Sequence, residues 1–263
     1  MKKEYVPLIV PILSLMVFGA SCQQRVVNPS PFIPQVPIST TNEPVNTNRT
    51  YPTAFLTAHI VSLDQVKRIS KFRSGSGHSF TDNTETCRSM KHYVELLTRK
   101  NLGPNELLSD AYPATVPVFS PVDGTVTQIT AEQFPLGQHF RITPTINPDF
   151  LVQLFHLFPL PTIHQGSAIR AGDQIGTIKA VQQYDVAIEK MDPTGRGTGQ
   201  YVSMFDVMDS SLLADYARLG VTKENAIVSK ESRDAHPLTC TGEQFSHTFE
   251  RPEDWVVLQH PAT

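Results

Sequence analysis

The residues of this chain best suited to chemistry are His78, Asp82, His156 and Asp185, with Cys87 as a further candidate. Imidazole and carboxylate groups bind divalent metals and move protons, and a thiolate attacks carbonyl carbon. His78-Ser79-Phe80-Thr81-Asp82 follows Gly75 and Gly77, which suit a turn entering a site. Such a His–Asp spacing is common, and it reads equally as a solvated loop with an incidental histidine. His156 ends an apolar run, where it reads equally as a partly buried histidine satisfied by hydrogen bonds. In Tyr184-Asp185-Val186-Ala187-Ile188-Glu189 the side chains of a strand alternate, so Asp185, Ala187 and Glu189 share one face. The Asp185 carboxylate can ligate zinc, whereas the methyl group of Ala187 has no electron pair to give.

Strands and turns must position these residues. Pro121-Val122-Asp123-Gly124-Thr125-Val126 is a turn signal, and Asp123-Gly124 between apolar alternations predicts a hairpin. Phe150-Leu151-Val152-Gln153-Leu154-Phe155-His156-Leu157 predicts a strand ending at the histidine. The stretch from Ile163 to Gly176 sets Gly166, Ile169, Gly172, Ile175 and Gly176 at regular spacings. In this order and at these spacings the pieces resemble the lysostaphin-type (LytM-type) zinc endopeptidases, which cut peptidoglycan cross-bridges. The resemblance covers roughly Gly77 to Glu189. It implies a mainly β fold, a LytM-like β-sandwich built on the duplicated hybrid motif, with short helices in a C-terminal extension.

The same resemblance assigns roles. His78 and Asp82 fall on the metal-ligand positions of the family's His-x-x-x-Asp, and His156 falls on an active-site histidine. The family's His-x-His pair reads here Asp185-Val186-Ala187. Asp185 therefore stands where a catalytic histidine is expected, and Ala187 where the third ligand is expected. The catalytic candidates are His156 and Asp185, and the metal candidates are His78 and Asp82. Catalytic zinc usually takes three protein ligands and a water whose pKa it lowers. With one ligand replaced by a methyl group, zinc is expected to bind weakly or not at all.

The N-terminus carries an address. Lys2-Lys3 precede a mostly apolar run from Pro7 to Phe18, too short for a comfortable membrane span. Gly19-Ala20-Ser21 then lead to Cys22, which resembles a bacterial lipoprotein signal with Gly19 where leucine is usual. Residues 1–22 are expected to be that signal, with lipidation at Cys22 and the mature protein anchored facing the periplasm or the cell exterior. Ordinary signal-peptide cleavage nearby is the other reading. Residues 23–55 form a Pro/Thr/Asn-rich linker. Residues 56–200 form the peptidase-like domain, and residues 201–263 an extension packed on it. With Cys22 taken, export favours a disulfide between Cys87 and Cys240. Two buried thiols, or Cys87 as a nucleophile beside His78 or His92, remain open. Arg88, Lys91 and His92 lie in a polar stretch after Cys87 and read as a solvated face or, second, as contacts to an anionic group.

Asp209 or Ser210 predicts the cap of a helix that Gly220 stops, Ser229 caps a second over Lys230–Arg233, and Asp234–Cys240 reads as a loop. The net charge of -3 and the lack of a basic patch exclude a nucleic-acid partner. Three function classes follow. The first is a non-hydrolytic envelope protein that binds peptidoglycan or regulates a cell-wall hydrolase. The second is an active metallopeptidase with an altered ligand set. The third is a biotinyl- or lipoyl-type carrier, against which stand the long insert from Gly124 to Gly166 and the lack of methionine beside Lys179.

Overall fold

The alternating apolar runs of the sequence become strands of one large antiparallel sheet. The computed structural model describes residues 53–98, 114–133, 136–179, 183–193, 199–247 and 250–261. The expectations for the signal segment, for Cys22 and for nearly all of the linker lie outside these residues. In chain order the strands are β1 (Val66–Ser70), β2 (His92–Leu96), β3 (Ala114–Phe119), β4 (Gly124–Ala131), β5 (Gln138–Pro144), β6 (Phe150–Pro159), β7 (Ala168–Ile169), β8 (Gln174–Lys179), β9 (Tyr184–Lys190) and β10 (Gln200–Val202). Four short helices follow: α1 (Met204–Val207), α2 (Ser210–Arg218), α3 (Lys223–Ala226) and α4 (Lys230–Ala235). Last come β11 (Cys240–Thr241), β12 (Gln244–Phe245) and β13 (Trp255–Val257). The main sheet runs β13-β1-β2-β9-β6-β5-β4-β7, with β10 on β9. A second ladder, β3 with β8, joins it through the far end of β6, where Phe158 and Pro159 pair with Thr177 and Gly176. The fold is mainly β with few short helices, as the sequence predicts.

Strand alternation sorts the side chains. Val152 and Leu154 of β6, Val186 and Ile188 of β9, Val94 of β2, and Phe140 and Ile142 of β5 point into one apolar cluster. That cluster also takes Val118 of β3, Ile178 of β8, and Phe205, Leu212 and Tyr216 of the helical segment. Burying a side chain the size of Leu154 stabilises by about 1.5–3 kcal/mol, so this face holds the sheet and the helices together. The interleaved residues Gln153, Asp185 and Ala187 face the other way and are also buried, at 1 %, 2 % and 1 % exposure.

Asp123-Gly124 does not make a hairpin. β3 pairs with β8, and β4 pairs with β5 and β7, so the turn passes the chain from one ladder to the other. Gly124 is needed there for space, since a Cβ would lie 2.5 Å from the carbonyl oxygen of Thr143 on β5. β6 also continues past His156 to Pro159. Both C-terminal helices start as predicted: the Asp209 side chain accepts from the Leu212 N–H, and that of Ser229 from the Ser232 N–H. α4 runs on into the stretch read as a loop, ending at Ala235.

Candidate functional site

The polar face of the sheet is assembled from β2, β6, β9 and the loops that lead into them. Its centre is the ammonium of Lys91, which is 3 % exposed. Lys91 Nζ donates to Asp185 Oδ2 at 3.2 Å and to His78 Nε2 at 3.3 Å. It also lies 4.0 Å from the ring centre of Phe155 and 4.3 Å from that of Phe80. An ammonium has no lone pair, so His78 Nε2 must accept and His78 Nδ1 carries the proton that it gives to the Ser79 carbonyl, 3.1 Å away. His78 is aimed by Gly77, whose φ is +69° and whose missing Cβ would lie 2.1 Å from Cζ of Tyr93. The His78 N–H donates to the Tyr93 hydroxyl at 3.3 Å.

Asp185 continues the chain of charges. His156 Nε2 lies 3.6 Å from its Oδ2, and His156 Nδ1 lies 2.7 Å from Glu132 Oε2. Burial opposes a charge on His156, but the Asp185 and Glu132 carboxylates outweigh it and push the imidazole up to about 9. His156 is thus an imidazolium at neutral pH, with both N–H groups directed at carboxylates. Burial likewise opposes the charge of Asp185, and contact with His156 and the charge of Lys91 hold its carboxyl below the usual range. The result is a line of alternating charge, Lys91, Asp185, His156 and Glu132. His156 holds a backbone φ of +69° within β6, a conformation uncommon in a non-glycine residue, and the surrounding network holds it there. Its partners fix it from both sides, since the His156 N–H also donates to Glu132 Oε2 at 3.1 Å. His139 stacks on the Phe155 ring at 4.0 Å, and burial pulls its pKa down to about 4.

Asp82 spends its oxygens elsewhere. Oδ1 accepts from the N–H and the hydroxyl of Thr84, at 2.8 and 2.6 Å, and Oδ2 accepts from the Tyr201 N–H at 2.9 Å. Ala187 pairs across the sheet with Gln153, whose amide donates to Glu189 Oε2 at 2.7 Å.

Zinc does not fit this donor set. His78 and Asp185 both point lone pairs at an ammonium, Asp82 is engaged by a hydroxyl and backbone N–H groups, His156 is protonated, and Ala187 has no donor. Among the described residues, no three or more His, Cys, Asp or Glu side chains are placed to hold a metal ion. Arg88, Lys91 and His92 are buried rather than solvated, because each has an internal partner. Arg88 binds Glu85 and Asp234. His92 donates through Nδ1 to the Ser70 carbonyl and accepts through Nε2 from the Ser203 hydroxyl, both at 2.8 Å, and burial lowers its pKa to about 4. Lys91 is the functional residue that sequence reasoning passed over. Its trace in the sequence was a lysine in the polar stretch after Cys87, 13 residues from His78.

Cys87 and Cys240 form a disulfide. It pins the β11–β12 hairpin beside the site, where the Glu243 carbonyl accepts from the Ser79 N–H at 2.7 Å and Glu243 Oε2 lies 3.7 Å from His78 Nδ1. A cleft of about 290 Å³ is lined by the Gly75–Gly77 segment and this hairpin, with Gln183, His247, Arg251 and Trp255.

No family model matches the chain. No curated protein matches it. Among solved structures it is similar to a chain of the "SpoIIQ-SpoIIIAH pore forming complex", over 61 % of this chain and 97 % of that one, at 14 % sequence identity and a TM-score of 0.38. No residue role is carried over from that likeness; the roles given above rest on the geometry of this chain.

Proposed function

We propose that this chain is an exported, lipid-anchored envelope protein whose β domain is peptidase-like and non-hydrolytic, and that it binds peptidoglycan or regulates a cell-wall hydrolase. One observation carries the reading: the place that would need lone pairs on a metal holds the Lys91 ammonium, with the His156 imidazolium on the far side of Asp185. A metal-activated water requires an open coordination position on a firmly held ion, and two resident cations oppose one. The disulfide supports export, because such bonds persist in oxidising compartments. The cleft beside the hairpin is lined by amide, guanidinium, imidazole and carboxylate groups from Gln183, Gln244, Arg251, His247 and Glu250, a polar lining that suits peptide or amino-sugar recognition.

The test measures metal and turnover together. The purified domain should lose zinc on dialysis and should release no peptides from peptidoglycan. Stoichiometric zinc with chelator-sensitive cleavage would overturn the proposal. Anchoring is tested by fractionation: Cys22→Ala should move the protein from the membrane to the soluble fraction.

A further inference from the structure

The mismatch with zinc has a structural counterpart in two buried residues on the polar face of the sheet, Lys91 and Ala187. β2 and β9 pair His92 with Val186 and Tyr93 with Asp185. Tyr93 lies opposite Asp185, and Lys91, two residues before Tyr93, places its ammonium on Asp185, so Lys91 reaches the face that Asp185 shares with Ala187, which is paired with Gln153 on β6. Lys91 and Ala187 are 3 % and 1 % exposed, and in a close-packed interior a longer side chain at position 187 has to take space on this face that the lysine and its rings already fill. Here the long side chain is the lysine and the short one is alanine.

The surroundings of the lysine are those of an ammonium. Two lone pairs, from His78 Nε2 and Asp185 Oδ2, take two of its N–H groups. Phe155, Phe80 and Tyr93 present rings at 4.0, 4.3 and 5.7 Å. Ring faces stabilise an organic cation through their quadrupole and give a divalent metal nothing to coordinate.

We propose that the Lys91 ammonium is the resident cation of this site and takes the place of a divalent metal, and that Ala187 is the small residue that admits it. The inference rests on the non-hydrolytic reading and extends it. The chain carries its cation covalently, so the domain needs no metal to hold His78 and Asp185 together. A metal site can return only if both positions change.

The experiment is a double-mutant cycle read by zinc content after dialysis and by the zinc-induced shift in melting temperature. Wild type, Ala187→His alone and Lys91→Met alone should retain no zinc. Lys91→Met with Ala187→His should retain about one ion per chain, as three donors then converge, and should lose it when His78→Ala is added. If Ala187→His alone binds as well as the double variant, Lys91 does not occupy the metal's place and the proposal falls. It falls as well if the double variant folds without binding zinc, or fails to fold with zinc present. Zinc and cleavage in the wild type would instead sink the non-hydrolytic reading, whatever the variants do.

Discussion

The two faces of the β2–β9–β6 sheet are buried to the same degree and held by opposite physics. On the apolar face Val94, Val186 and Leu154 are 1 %, 1 % and 0 % exposed. On the polar face Lys91, Asp185 and Gln153 are 3 %, 2 % and 1 % exposed. The apolar face gains from every contact independently, because dispersion and the hydrophobic effect are non-directional. The polar face gains only as a complete set, since a buried charge without its partner carries the full penalty of leaving water. A histidine on each shows the difference. His92, which packs against Phe72 and Phe205, is kept neutral, while His156 between two carboxylates is kept charged.

The largest expected effect lies on the polar face. Asp185→Ala leaves Lys91 facing His156 with no charge between them and should cost about 3–5 kcal/mol in denaturant unfolding. Replacing Lys91 and Asp185 together by Met and Leu should recover much of that loss, and strict additivity of the two changes would break the comparison. On the apolar face Leu154→Ala should cost about 3 kcal/mol, through lost burial plus a residual cavity, and should not depend on what stands at position 185. Cys87→Ser with Cys240→Ser should cost about 2–4 kcal/mol. Amide exchange should then rise at Ser79 and around the hairpin, with the amides of β6 and β9 unchanged.

A smaller effect separates the faces by pH. The folded pKa of His156 is about 9, raised from an ordinary value of about 6.5. Its stabilisation is therefore complete below about 6.5 and lost as the pH rises through about 9. For His92 and His139, held at about 4, the unfolded chain takes up protons first, so stability is lost as the pH falls from about 6.5 towards 4. Stability should peak near pH 6.5, and the acid limb, to which two histidines contribute, should be deeper than the alkaline limb, to which one does. His156→Gln should flatten the alkaline limb and spare the acid one. Lys230→Ala, which breaks the exposed pair with Asp234, should change stability by about 0.5 kcal/mol or less.

The fold was legible where pattern alone decides it. The alternation in β9 predicted that Asp185 and Ala187 share a face, and Asp209 and Ser229 marked their helices by side chains that cap without tertiary help. Asp123-Gly124 misled because a turn signal states that the chain bends, and pairing partners are chosen by long-range packing, here β8 and β5. The candidate site was half legible. His78, His156 and Asp185 were found by motif and are brought together by the structure. Lys91 was missed because burial of a lysine depends on partners far along the chain, at Asp185 and Phe155, and nothing local to Arg88–His92 announces them. Asp82 shows the converse, since its spacing suggested a ligand and its neighbours Thr84 and Tyr201 claim it instead.

The pairing of β1 with β13 sets an order of events for the chain. Residues 68–70 find their partners at 255–257, and Cys87 finds Cys240 across a separation of 153 residues. A polypeptide that emerges from its N-terminus first must hold one edge of β1 open until residues 255–257 have appeared, and the Cys87 sulfur unpaired until Cys240 has. Long-range closures of this kind slow folding. This edge of the sheet is therefore completed only once β13 has arrived, and a chain truncated before Trp255 would leave β1 a free edge able to recruit a strand from another molecule.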